Sequence, residues 1–208
     1  DGTMLINDGS DVENYIGYIG RSAGVTGGVT IAGAGSTWTN AYQLYVGNHG
    51  IGTLLIDNGG AVTAANAIDI GRFSESTGTV TVTGAGSTLT TPDLLSVGAN
   101  GVGTLTIADG GAVSSQWGYI GASDTNPACT GSVLVTGAGS AWANSSDLLV
   151  GREISGTLTI ADGGAVSNPT GYIGYSSGAT GNVTVTDAGS QWTNSERLYV
   201  GYNGSGEL

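Results

Sequence analysis

The chain has one cysteine, one histidine, one methionine, three prolines and no lysine in 208 residues. Cys129 has no partner for an intrachain disulfide and no companion for a cysteine metal site, so the fold must hold without a covalent staple. His49 lies in an Asn-His-Gly turn and reads as a solvated corner residue, which leaves no Ser-His-Asp set to assemble. Four arginines face sixteen acidic residues, a net charge of −12. That balance repels nucleic-acid phosphates and anionic membrane faces, so nucleic-acid binding is excluded. Charged residues make up only 10% of the chain, so the acidity reflects missing cations and reads as solubility. No apolar run is long enough to cross a bilayer, and no membrane insertion is expected of this segment. The sequence starts at Asp1 with no signal peptide in view, which reads as a processed or excised piece.

Glycine, by contrast, is abundant: 40 residues. They show no every-third spacing, which excludes collagen. Thr, Val, Ser, Ala, Ile and Leu supply most of the remainder, so short strands joined by tight turns are expected.

Internal repeats dominate the chain. One type reads Gly-Thr-Leu-Leu-Ile-Asp-Asn-Gly-Gly-Ala-Val at Gly52–Val62 and recurs from Gly103 and Gly156, with a variant from Gly2. A second type, Gly-Thr-Val-Thr-Val-Thr-Gly-Ala-Gly-Ser-Thr-Leu at Gly78–Leu89, recurs from Gly28, Gly131 and Gly181. The types alternate at steps of about 25 residues, within the solenoid range. Each unit then ends in a short apolar stretch closed by glycine, as in Leu44-Tyr45-Val46-Gly47.

Val80 and Val82 alternate with Thr79, Thr81 and Thr83, the period of a half-buried strand. One such strand buries too little alone, so the units must stack and share a core. The predicted fold is therefore all-β: a right-handed parallel β-helix of about eight three-strand coils of ~25 residues, filling residues 1–208 as a single domain. At 4.8 Å per coil the rod would be roughly 38 Å long. A propeller of paired units, about 51 residues each, is the competing architecture; it is disfavoured because the pattern already repeats at half that length. The inward column of the second strand reads Val12, Trp38, Val62, Leu89, Val113, Trp142, Val166 and Trp192, so large and small side chains alternate. Asp8-Gly9, Asn58-Gly59, Asp109-Gly110 and Asp162-Gly163 supply corners that tolerate positive φ. The acids among them lack the nonapeptide calcium pattern, and no metal site or cofactor is expected.

The runs Val-Thr-Gly-Ala-Gly-Ser-Ala-Trp (Val135–Trp142), Leu44–Gly47 and Gly156–Val166 resemble the repeat shared by type V secretion autotransporter passengers and some bacterial PEP-CTERM surface proteins. The resemblance implies a right-handed β-helix exported to the outer surface of a Gram-negative cell, with adhesive or structural duty. The expected function is a non-catalytic extracellular rod. Its expected partners are glycans or host and cell-surface proteins, with end-to-end or lateral self-association. A carbohydrate-binding or polysaccharide-degrading β-helix is the first alternative. An ice-binding face of outward threonines is the second; that threonine column is expected to break at Met4, Leu55 and Leu134.

The candidate ligand-binding surface is the outward column of the third strand: Tyr18, Tyr45, Asp69, Ser96, Tyr119, Leu149, Tyr172 and Tyr199. Tyrosine offers a flat apolar face with a polar tip, suited to sugars or protein surfaces, though it also serves as an exposed ladder shielding a sheet. Asp69 is the sole acid in the column; with Arg72 and Arg21 nearby it is too sparse for a catalytic set, and no catalytic residue is assigned. The longest corner, Ala122–Thr130 with Pro127 and Cys129, is a further place for function. An exposed Cys129 there would dimerise the rod. Gly204–Leu208 begins a ninth unit, so the chain is expected to be a piece of a longer array.

Overall fold

A computed structural model of the chain describes residues 1–123, 126 and 128–208. Among them there is no helix; every element is a β-strand, and the strands pair in parallel. The fifth coil shows the plan, with strands Val102–Ala108, Ala112–Ser115 and Trp117–Ile120. First strands stack into a nine-stranded sheet. Second and third strands belong to a 14-stranded sheet, joined where Ala165–Ile173 and Gln191–Val200 run unbroken through the corner between them.

Each strand pairs with its equivalent one lap away. Gly2, Gly27, Gly52, Gly78, Gly103, Gly131, Gly156, Gly181 and Gly206 form one column. Successive numbers differ by 25, except for 26 at Gly52–Gly78 and 28 at Gly103–Gly131. This is a β-solenoid of about eight turns, as the repeat predicts. The second unit starts at Gly27 rather than Gly28. Because side chains alternate faces, that one-residue difference decides which of them enter the core. With Gly27 leading, Val29 and Ile31 pair with Leu54 and Ile56 and are buried. By the same register Met4 faces inward opposite Val29. The outward column is broken at its first position by Leu5, 62% exposed, and not by Met4.

The core is one continuous apolar column. The expected second-strand series from Val12 to Trp192 is aligned in register. Trp142 and Trp38 are buried, and Trp192 is half-buried against the core. Each indole has a specific seat. Trp38 Nε1 donates to Asn14 Oδ1 at 2.5 Å, Trp142 Nε1 to Ser115 Oγ at 3.2 Å and Trp192 Nε1 to Asn168 Oδ1 at 2.8 Å. In all three cases the acceptor lies in the preceding coil, whose third-strand segment carries a glycine beneath the indole: Gly17, Gly118 or Gly171. A Cβ on any of these would stand 2.8 Å from the indole Cζ2. The third coil has Ile68 at that position, and the coil after it carries Leu89 in place of tryptophan.

A second interlock joins these three coil pairs and also coils three and four. Asp8, Asn58, Asp109 and Asp162 do adopt positive φ, between 51° and 56°. The glycine after each donates its N–H to the serine of the next coil's Gly-Ala-Gly-Ser or Asp-Ala-Gly-Ser corner. Gly9 reaches Ser36 Oγ at 3.1 Å, Gly59 Ser87 at 3.0 Å, Gly110 Ser140 at 3.0 Å and Gly163 Ser190 at 3.1 Å. The two unit types are thus complementary halves of a two-coil building block.

Candidate functional site

The third strand ends, in every coil, at a glycine with φ between 64° and 71°: Gly20, Gly47, Gly71, Gly98, Gly121, Gly151, Gly174 and Gly201. At Gly47 a Cβ would lie 2.2 Å from the Thr77 carbonyl oxygen, so a side chain is excluded by position as well as by φ. The sharp turn places the next residue beside the third-strand column, in the order Arg21, Asn48, Arg72, Ala99, Ala122, Arg152, Tyr175 and Tyr202. Backbone bonding continues through this corner: the Arg72 N–H donates to the Gly47 carbonyl at 2.9 Å, and the Tyr175 N–H to the Gly151 carbonyl at 2.9 Å.

Two columns therefore run side by side, and the first is the expected one. Tyr18, Tyr45, Asp69, Ser96, Tyr119, Leu149, Tyr172 and Tyr199 are consecutive register partners. It is not, however, a uniformly exposed ladder. Tyr45 is 2% exposed, Ser96 2% and Leu149 5%, because the second column folds over the first. Arg72 lies over the Tyr45 ring at 3.7 Å, and Arg152 over Tyr119 at 4.7 Å. Arg21 lies over Tyr18 at 5.2 Å. Three of the four arginines are thus stacked on this flank.

Small residues at Ser96, Ala99 and Ala122 interrupt the aromatic surface, leaving two clusters. The first, in coils one to three, holds Tyr18 and Tyr45 with ring centroids 5.2 Å apart, and His49 stacked on Phe73 at 4.2 Å and 7°. Tyr15 and Tyr42 stack at 5.5 Å on the corner before the third strand. The second cluster is a lattice of four rings. Tyr172 stacks on Tyr199 at 5.0 Å and Tyr175 on Tyr202 at 5.3 Å, with edge contacts between the stacks. Tyr119 stands apart from these four, across Leu149.

All nine tyrosines, the one phenylalanine and the one histidine lie on the third strand or its flanking corners. Of these, sequence reasoning missed Tyr15, Tyr42, Phe73, Tyr175 and Tyr202, and with them the stacking role of Arg152. For Arg152, Tyr175 and Tyr202 the signal is an Arg or Tyr directly after the closing glycine, three residues beyond the column position. Trp117, the fourth tryptophan, is half-buried at the head of its third strand and lies outside the core column.

Asp69 sits between Tyr45 and Ser96 with its side chain 18% exposed and Oδ2 3.8 Å from Arg72 Nε. Burial raises its pKa to about 6, opposed by the Arg72 charge. Burial likewise raises the Tyr45 and Tyr119 hydroxyls, against the lowering effect of Arg72 and Arg152. The Tyr45 hydroxyl donates to Gln43 Oε1, and a polar chain continues from Gln43 Nε2 to Asn66 Oδ1 at 3.3 Å. Among the described residues no group of three or more His, Cys, Asp or Glu is placed to hold a metal. Cys129 is fully buried, with Sγ 3.0 Å from the Gly98 carbonyl oxygen. That contradicts the exposed thiol a covalent dimer needs. Pro127 lies outside the described residues. What the flank presents chemically is stacking surface, phenol tips and guanidinium donors.

No family model matches the chain, and no solved structure matches it. Among curated proteins, the chain is 31% identical over 152 residues to the adhesin BmaC autotransporter of Brucella suis biovar 1 (strain 1330). The aligned stretch covers 68% of this chain and 4% of that protein, so the solenoid is similar to a short segment of a much longer autotransporter adhesin.

Proposed function

We propose that this solenoid is a non-catalytic, surface-exposed segment of an autotransporter-type adhesin, and that its tyrosine and arginine flank makes the adhesive contacts. The observation that carries the reading is the segregation of side chains. Every tyrosine and three of four arginines share one flank, while the outward positions of the first strands carry mainly Thr, interrupted by Leu5, Leu55 and Leu134, and no aromatic or arginine. Tyrosine and arginine are the side chains that dominate binding at protein surfaces, because each brings large contact area and a directed polar group. Similarity to a segment of an adhesin supports the same reading, as does a rod geometry that repeats a contact along its length. The expected location is the outer surface of the cell.

The test is adhesion of beads coated with the chain to epithelial cells and extracellular matrix. Tyr119→Ser combined with Tyr172→Ser is expected to reduce retention about fivefold or more, as loss of a binding hot spot does, with the β-type circular dichroism spectrum unchanged. Undiminished retention by the folded variant would contradict the assignment.

A further inference from the structure

We propose that the hollow on this flank spanning coils one to three binds an acidic sugar, its carboxylate held by Arg21 and Arg72 and its ring face laid on the neighbouring aromatics. The inference rests on the adhesive reading above and names the ligand class for the first of the two clusters.

The hollow has a volume of about 430 Å³ and is lined by Tyr18, Arg21, Asn48, His49, Arg72 and Phe73, among others. Small-molecule sites occupy roughly 300–1,000 Å³. Half of the chain's arginines and its only histidine line this one space, and no carboxylate is in the lining. Arg21 is exposed and makes no ion pair with any described residue; its guanidinium lies over the face of Tyr18.

Arg72 is partly engaged. Its Nε stands 3.8 Å from Asp69 Oδ2, and its Nη1 donates to Asn48 Oδ1 at 3.4 Å. Its Nη2 has no polar partner among the described residues. Asn48, 5% exposed, also donates Nδ2 to the Arg21 carbonyl at 3.0 Å. One buried amide therefore holds the Arg72 guanidinium and the Arg21 backbone beside a single space, which preorganises the Arg72 fork and anchors the base of the Arg21 side chain. A guanidinium fork matches a carboxylate with two parallel, charge-assisted hydrogen bonds.

The net charge of −12 opposes anions in general, yet charges more than about 8 Å away are largely screened at physiological salt. An anion is thus admitted where the local lining is cationic. The flat rings of Tyr18 and of His49 on Phe73 select for a ligand that also carries an apolar face, as the C–H face of a pyranose does. A long polyphosphate chain would meet the acidic remainder of the rod.

Calorimetric titration of the 208-residue chain with hexasaccharides of galacturonate, glucuronate and mannuronate, each beside its methyl ester, tests the proposal. At least one acid form is expected to bind tenfold or more tightly than its ester. Arg21→Gln, which removes an exposed side chain without an ion pair, is expected to cut that preference at least fivefold while the circular dichroism spectrum is kept. Thr106→Ala, on the outward face of the first strands and away from the flank, should leave it intact. Esters that bind as well as their acids, or a preference that survives Arg21→Gln, would overturn the proposal. If wild-type adhesion depends on Tyr119 and Tyr172 but no acid preference exists, the ligand class is wrong and the adhesive reading stands. If neither dependence is found, both fall.

Discussion

Asp69 shows how a single side chain couples the flank to stability. Its pKa is raised from 3.8 to about 6, so between those values the folded chain holds a proton that the unfolded chain releases. Its protonation therefore stabilises the fold fully below about pH 4, and the contribution is lost as pH rises through 6. Asp69→Asn keeps the shape without the charge. It is expected to lie near wild type in thermal unfolding at pH 4 and to exceed it by about 2–3 kcal/mol at pH 7.5; a gap that is the same at both pH values would contradict the assignment. Gly118 is sensitive for a steric reason. A Cβ there would meet Asn144 Oδ1 at 2.7 Å and Trp142 Cζ2 and Leu148 Cδ1 at 2.8 Å. Gly118→Ala should cost about 1–3 kcal/mol in urea unfolding. Adding Trp142→Leu, which copies the indole-free arrangement at Ile68 and Leu89, should return part of that cost instead of adding to it.

The coil, taken singly, was legible because its signals are local: Val80 and Val82 alternate with threonine, and Asp109-Gly110 marks a corner. The pairing of coils was not read, although its residues stand in plain view at Gly17, Trp38 and Asn14. Glycine before tryptophan has meaning only when the two are known to lie one lap apart, and that separation is a property of the stack. The slip at Gly27-Gly28 has a similar origin, since two adjacent glycines leave the start of a strand undefined until Val29 and Ile31 are placed against the core. The serine interlock offers a direct check on the coil pair. Ser140→Ala removes the acceptor for the Gly110 N–H at 3.0 Å and is expected to destabilise by about 1 kcal/mol in the same unfolding assay. Thr136→Val, which removes an exposed bond to Asp162, should cost less.

The rod as a whole turns a short repeat into segregated surfaces. The tyrosine column could be read from the sequence because every third strand is anchored by its closing glycine. Its partial burial could not, because the cover comes from Arg72 and Arg152 reaching back one coil, a contact that no spacing within one coil reveals. Adhesion, ligand choice and the two aromatic clusters all depend on one structural claim: each stretch of about 25 residues completes one lap. Outward positions Thr30, Thr106, Thr159 and Thr184 share one column of register partners, in coils two, five, seven and eight. Electron–electron dipolar spectroscopy on spin labels at cysteines replacing these threonines, in a Cys129→Ser background, measures the stack directly. From Thr30 the distances should grow with coil number, to about 14 Å at Thr106, 24 Å at Thr159 and 29 Å at Thr184, at 4.8 Å per lap. Distances that fail to increase in that order would contradict the solenoid.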